Sequence, residues 1–208
     1  MSALYVDSIK DKSDTKTLAT LSNSTVTLHS DVTIPASIGG SEVLLNTFTA
    51  NNSSNILAIT GMSTTYTTYK FVVTQLKAAT DSIRLYWFLK KADGTVRSTG
   101  YKGARDRTYY NGTGSGGEIT AFGDNLFGND SDLSNAHTYN GVFYVFDPAS
   151  SSNYTHGVGL YNYVNDSTYN IALRSGCHYA TAEAHTDINL QTESDNLVSG
   201  TVRMYGIK

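Results

Sequence analysis

Cysteine is nearly missing from this chain: Cys177 is the only one. No internal disulfide can form, and a cysteine-rich zinc site is excluded. Proline occurs only at Pro35 and Pro148. Charge is sparse, with 16% of residues charged and a net charge of -3. Without a basic excess nothing neutralises a phosphate backbone, so no nucleic-acid partner is expected. No run reaches the roughly 18 apolar residues of a bilayer span, so no membrane insertion is expected. The opening MSALYVDSIKDKSD lacks an apolar h-region and does not read as a secretory signal. Glutamate appears only at positions 42, 118, 183 and 193, which leaves few carboxylates for paired acid–base chemistry.

What is present points to β-structure. The 208 residues include 18 Gly and 15 Tyr, with abundant Ser, Thr and Asn. Short runs of Thr, Val, Ile and aromatics alternate with Gly, Asn, Asp and Ser clusters. Strands are expected at Thr25–Thr33, Glu42–Thr49, Asn55–Ile59, Tyr69–Leu76, Ser82–Leu89 and Thr95–Thr99. More are expected at Glu118–Phe122, Gly141–Phe146, Gly157–Tyr163, Tyr169–Arg174, His178–Ala182, Ile188–Gln191 and Gly200–Tyr205. Ile83, Leu85, Trp87 and Leu89 fall on one face of their strand and belong in a core. Ala92-Asp93-Gly94-Thr95 is a tight-turn sequence, expected to pair Ser82–Leu89 with Val96–Tyr101. No segment keeps a helical period. Leu126–Ala136 comes nearest, and its Gly, Asn and Asp content reads as loop. The fold class is therefore all-β, an antiparallel sandwich of jelly-roll type.

Two regions stand apart. Residues 1–35 are polar and thin in large apolar side chains, which makes them an extended N-terminal arm that orders against a partner. Residues 36–208 form the sandwich. Within it, Thr99–Ser134 holds the run Gly112-Thr113-Gly114-Ser115-Gly116-Gly117 and reads as a long surface excursion.

Motifs for catalysis or metal binding are weak. The histidines are His29, His137, His156, His178 and His185, with no HExxH spacing, so they read as surface and turn residues. Asp124–Asp132 carries oxygen ligands but no EF-hand spacing, and reads as solvated turn. The Gly run lacks the Lys of a phosphate loop, and no GxSxG elbow occurs. No catalytic residue, metal site or cofactor is expected. Tyrosine is the most suggestive residue type. Tyr101, Tyr109 and Tyr110 flank the Gly run beside Arg105 and Arg107. Tyr rings stack on sugars and line subunit contacts, and they also favour half-buried strands; the sequence leaves these open.

Three blocks carry a family resemblance. IKDKSDTKTLATLSNSTVTLHSDVTIP (9–35) resembles the opening of structural proteins of tailed bacteriophages, marine ones in particular. SGTVRMYGIK (199–208) and YKFVVTQLKAATDSIRLYWFLKKADGT (69–95) are similar to a β-sandwich module of phage fibres and virion appendages. The resemblance implies a non-enzymatic protein of the virion surface, assembled in the host cytoplasm and homotrimeric. The short arm favours a short fibre or head fibre, with contacts to other virion proteins through the arm. A capsid decoration protein is the alternative and a polysaccharide-degrading enzyme the outsider. The candidate ligand-binding set is Tyr101, Arg105, Arg107, Tyr109 and Tyr110, directed at a host glycan. Strand Gly141–Phe146, apolar on both faces, adds a physical reason to expect subunit contact.

Overall fold

The computed structural model describes residues 8–10, 17–22, 25–28, 41–110, 115–127 and 133–208. The chain divides into two compact units, Met1–Ser41 and Glu42–Lys208. In the first, β1 (Ser8–Lys10), β2 (Thr17–Ser22) and β3 (Thr25–Leu28) pair antiparallel in that order. Among the described residues there is no helix, hence none able to cross a membrane.

The second unit is an antiparallel β-sandwich. Its strands are β4 (Glu42–Thr49), β5 (Ile56–Thr60), β6 (Thr68–Ala78), β7 (Leu85–Lys90), β8 (Tyr101–Tyr110) and β9 (Ser115–Phe122). β10 (Tyr139–Phe146), β11 (His156–Val164), β12 (Asn170–Tyr179), β13 (Asp187–Thr192) and β14 (Leu197–Ile207) complete it. One sheet has eight strands in the order β4-β14-β6-β10-β11-β12-β8-β9; the other has three, β5-β13-β7. The chain switches sheets at β5, β7 and β13, which gives the jelly-roll-like weave.

Alternation explains the core. β11 reads exposed–buried along its length, with Tyr161 and Tyr163 inward and Val158 and Leu160 outward. From β7, Leu85, Trp87 and Leu89 point inward as expected. The Trp87 ring lies 4.6 Å from that of Phe143, 5.2 Å from Phe127 and 6.0 Å from Phe71. Phe143 needs a floor without side chains. A Cβ on Gly159, its partner on β11, would come within 2.7 Å of the Phe143 ring.

Four expectations are corrected. Thr95–Thr99 forms no strand: its hairpin with β7 is cut short to one bridge, Val96 to Lys90, with the Arg97 N–H donating to the Leu89 carbonyl at 2.8 Å. The Asp-Gly turn itself forms, with Gly94 at φ +89° and the Asp93 carboxylate accepting the Thr95 N–H at 2.9 Å. The chain then leaves for the other sheet, where β8 pairs with β12. The two strands expected at Tyr169–Arg174 and His178–Ala182 merge into one, β12, which ends at Tyr179, since Ser175 and Gly176 stay in the ladder opposite β11. Thr99–Ser134 is no surface excursion: it supplies the β8–β9 hairpin, and Leu126 and Phe127 are buried. There the backbone closes on β7 through Leu126 N–H to Trp87 C=O at 2.9 Å. His185, expected at the surface, is fully buried.

Candidate functional site: an arginine–tyrosine cleft beside strand β8

Strand β8 carries all five candidate ligand-binding residues, and the strand period sorts them. Odd-numbered residues face the sandwich interior, opposite inward residues of β12: Tyr101 with Tyr179, Arg105 with Ser175, Arg107 with Leu173, Tyr109 with Ile171. Tyr110 points to the outer face. The five therefore do not form one site.

Tyr101 is a core residue, 3% exposed. Its hydroxyl donates to the Arg97 carbonyl at 2.7 Å and accepts the Leu89 N–H at 2.9 Å. Burial pushes its phenol far above the ordinary range. It serves to tie β8 to β7 and offers nothing to a ligand. Arg105 is half-buried on the inner side, without a place in the cleft described next.

Arg107 and Tyr109 do converge. They line a cleft of about 390 Å³ with Asn165, Tyr169 and Ile171. The Arg107 guanidinium sits 5.7 Å from the Tyr109 ring centroid, a cation–π distance. Tyr109 and Tyr169 are near-parallel, 15° apart in plane and 6.0 Å between centroids. Tyr169 is set by the β11–β12 turn: its N–H donates to the Asn165 side chain at 2.7 Å, and the Asn165 N–H donates to its carbonyl at 3.0 Å. Asn165 and Tyr169 escaped the sequence reading. An Asn-Asp-Ser-Thr turn signals a reversal, but only the β12–β8 register shows that it arrives at Tyr109.

The cleft offers groups of the kind used in recognition. Two flat rings supply stacking surfaces, the guanidinium supplies positive charge, and the amide supplies both donor and acceptor. No carboxylate lines it among the described residues.

Other sequence candidates resolve differently. Asn125 is buried and accepts the Phe127 N–H at 3.0 Å, shaping the backbone there; 128–132 lie outside the described residues. Gly112–Gly114 of the Gly run also lie outside them, whereas Ser115–Gly117 belong to β9. Asp106, on the outer face, pairs with Arg174 of β12. Cys177 is buried, its thiol donating to the Leu126 carbonyl, and burial pushes it up to about 12. Among the described residues no group of three or more His, Cys, Asp or Glu is placed to hold a metal.

Buried His185 and half-buried Glu183 form a polar group at the opposite end of the sandwich. Arg97 binds Glu183 through two hydrogen bonds of 2.6 Å, holding its carboxyl below the ordinary value. His185 Nδ1 meets the Thr155 hydroxyl at 3.0 Å and its Nε2 lies 3.4 Å from Glu183. A hydroxyl–imidazole–carboxylate series suggests nucleophilic chemistry, but Thr155 has no exposed surface. The group is structural.

Compared with known proteins, the chain matches no family, no curated protein and no solved structure.

Proposed function

We propose that the protein is a non-enzymatic structural protein of a bacteriophage virion, displayed on the particle surface as a short fibre or head fibre and binding host glycans. The Arg107–Tyr109–Asn165–Tyr169 cleft carries the binding part of this reading: parallel rings beside a guanidinium suit a sugar bearing a carboxylate. The resemblance of residues 9–35, 69–95 and 199–208 supports the virion part. The polar composition of residues 1–35 fits an attachment arm ordered by other virion proteins. The test is a glycan array probed with the full chain. Acidic glycans should bind, and the double variant Tyr109→Ala/Tyr169→Ala should stay folded and lose at least about tenfold in affinity. Unchanged binding by that variant would reject the cleft.

One observation favours the decoration alternative, a protein that clamps capsid subunits. The outer face of the large sheet keeps Val158 and Leu160 exposed beside half-buried Val72, Val142, Tyr144 and Phe146. Such a band suits protein contact. Copy number in purified particles separates the two: hundreds mean capsid coating, a few dozen a fibre.

A further inference from the structure

A second cleft lies on the outer side of the large sheet, where β10 turns into β11. It measures about 480 Å³ and is lined by Asp147, Ser152, Asn153, Tyr154, His156 and Ala182. Its aromatic side is a series of three rings. Tyr154, 47% exposed, stacks on His178 at 5.6 Å and 16°, and His178 in turn lies 5.6 Å from His156. The two histidines are direct cross-strand partners of β11 and β12, so a rigid ladder fixes them.

The polar side is equally fixed. The Asp147 N–H donates to the Thr67 carbonyl at 2.7 Å. Asn153 donates from its amide to the Asp147 carboxylate at 3.5 Å. Ser150 holds the loop between them: its hydroxyl accepts the N–H groups of Ser152 at 3.2 Å and Asn153 at 3.0 Å, and its own N–H donates to the Asp147 carbonyl at 3.1 Å. A carboxylate acceptor thus sits beside an amide that both donates and accepts, next to an exposed ring.

We infer that this cleft binds a neutral pyranose sugar, with adjacent hydroxyls on Asp147 and Asn153 and the apolar ring face on Tyr154. A carboxylate and an amide side by side match the donor and acceptor of a vicinal diol, and the phenol face covers the C–H side of the ring. A carboxylate at the rim disfavours an acidic sugar, the opposite of the guanidinium cleft. The two clefts are separate. His178 and Ile171 stand seven residues apart on β12 and on opposite faces, about 23 Å at about 3.3 Å per residue. The inference rests on the glycan-binding reading and adds a second sugar class to it.

The experiment is saturation-transfer NMR on the full chain with methyl mannoside, methyl galactoside, methyl glucoside and methyl N-acetylglucosaminide as neutral probes, and sialyllactose as the acidic probe. At least one neutral probe should bind, with its ring protons saturated. Tyr154→Ala and Asp147→Asn should each weaken that probe at least about tenfold, with sialyllactose binding and the melting midpoint unchanged. Asn153→Ala, an exposed loop position, gives a third variant with the same expected loss should Asp147→Asn fail to fold. Neutral binding that survives Tyr154→Ala overturns the inference, as does sialyllactose binding without any neutral binding. Binding of neither kind overturns the glycan reading itself.

Discussion

At the residue scale, Tyr101 shows why residue type alone misleads. It shares a strand with Arg107 and Tyr109, yet its hydroxyl is spent on the Leu89 N–H and the Arg97 carbonyl. Tyr101→Phe orphans a buried backbone donor and should cost about 1–3 kcal/mol in denaturant unfolding, with glycan binding unchanged. His185 gives a pH signature. Burial holds its imidazole below the ordinary 6.5; Glu183 pulls the other way, and Arg97 and Lys91 lower it further. Below 6.5 the unfolded chain takes up a proton that the folded chain refuses. This loss is absent above 6.5 and grows as pH falls toward the folded value. Glu183 has the usual carboxylate sign: its stabilisation is present above about 4.5 and is lost as pH falls through its lowered folded value. Melting temperature should therefore decline as pH falls below about 6.5, and His185→Gln should flatten that stretch of the profile while leaving the steeper acid limb. A profile unchanged by His185→Gln would assign the decline to other groups.

At the scale of elements, the core turns on β10. Phe143 meets Trp87, Phe127 and Tyr161 through ring contacts and covers Gly159. Phe143→Ala opens a cavity that β11 cannot collapse into, and should cost about 3–5 kcal/mol by denaturant titration. Much at this scale was legible in advance. Alternation along Ile83–Leu89 picks the buried face of β7, because half-burial on a pleated strand writes itself as a period of two. Of the β8–β9 hairpin only Glu118–Phe122 was legible: the Gly-rich sequence before it reads as loop, although here Gly116 and Gly117 pair with Tyr109 and Thr108. Seryl and glycyl residues likewise hid the continuity of β12. The burial of Leu126 and Phe127 depends on contacts with β7, β11 and β12 that no local pattern encodes. The same limit governs the cleft. Arg107 and Tyr109 stand out by type and spacing, whereas Asn165 and Tyr169 arrive there only through sheet register.

At the scale of the whole molecule, the outer face of the large sheet bears on assembly. Leu160 is 56% exposed in the middle of an eight-stranded sheet, between Val142 of β10 and Arg174 of β12. We propose that a second copy of the chain covers this band, in a closed trimer. Light scattering of the purified chain should return about three times 22.5 kDa, and Leu160→Glu should shift the particle to a monomer with an unchanged melting curve. A native chain that is monomeric at micromolar concentration would reject the trimer. The strand order carries one more consequence. β14 lies between β4 and β6, so the last strand of the sandwich to be synthesised is an interior strand of its larger sheet. Until residue 207 has left the ribosome, β4 has no neighbour in that sheet and β6 keeps an open edge. The nascent chain must wait with hydrogen-bonding groups exposed until β14 has emerged to close the sheet. Copies made on one polysome would hold those open edges close together, so the interval before β14 emerges is when mispairing between neighbouring chains threatens most, and when a chaperone has most to do.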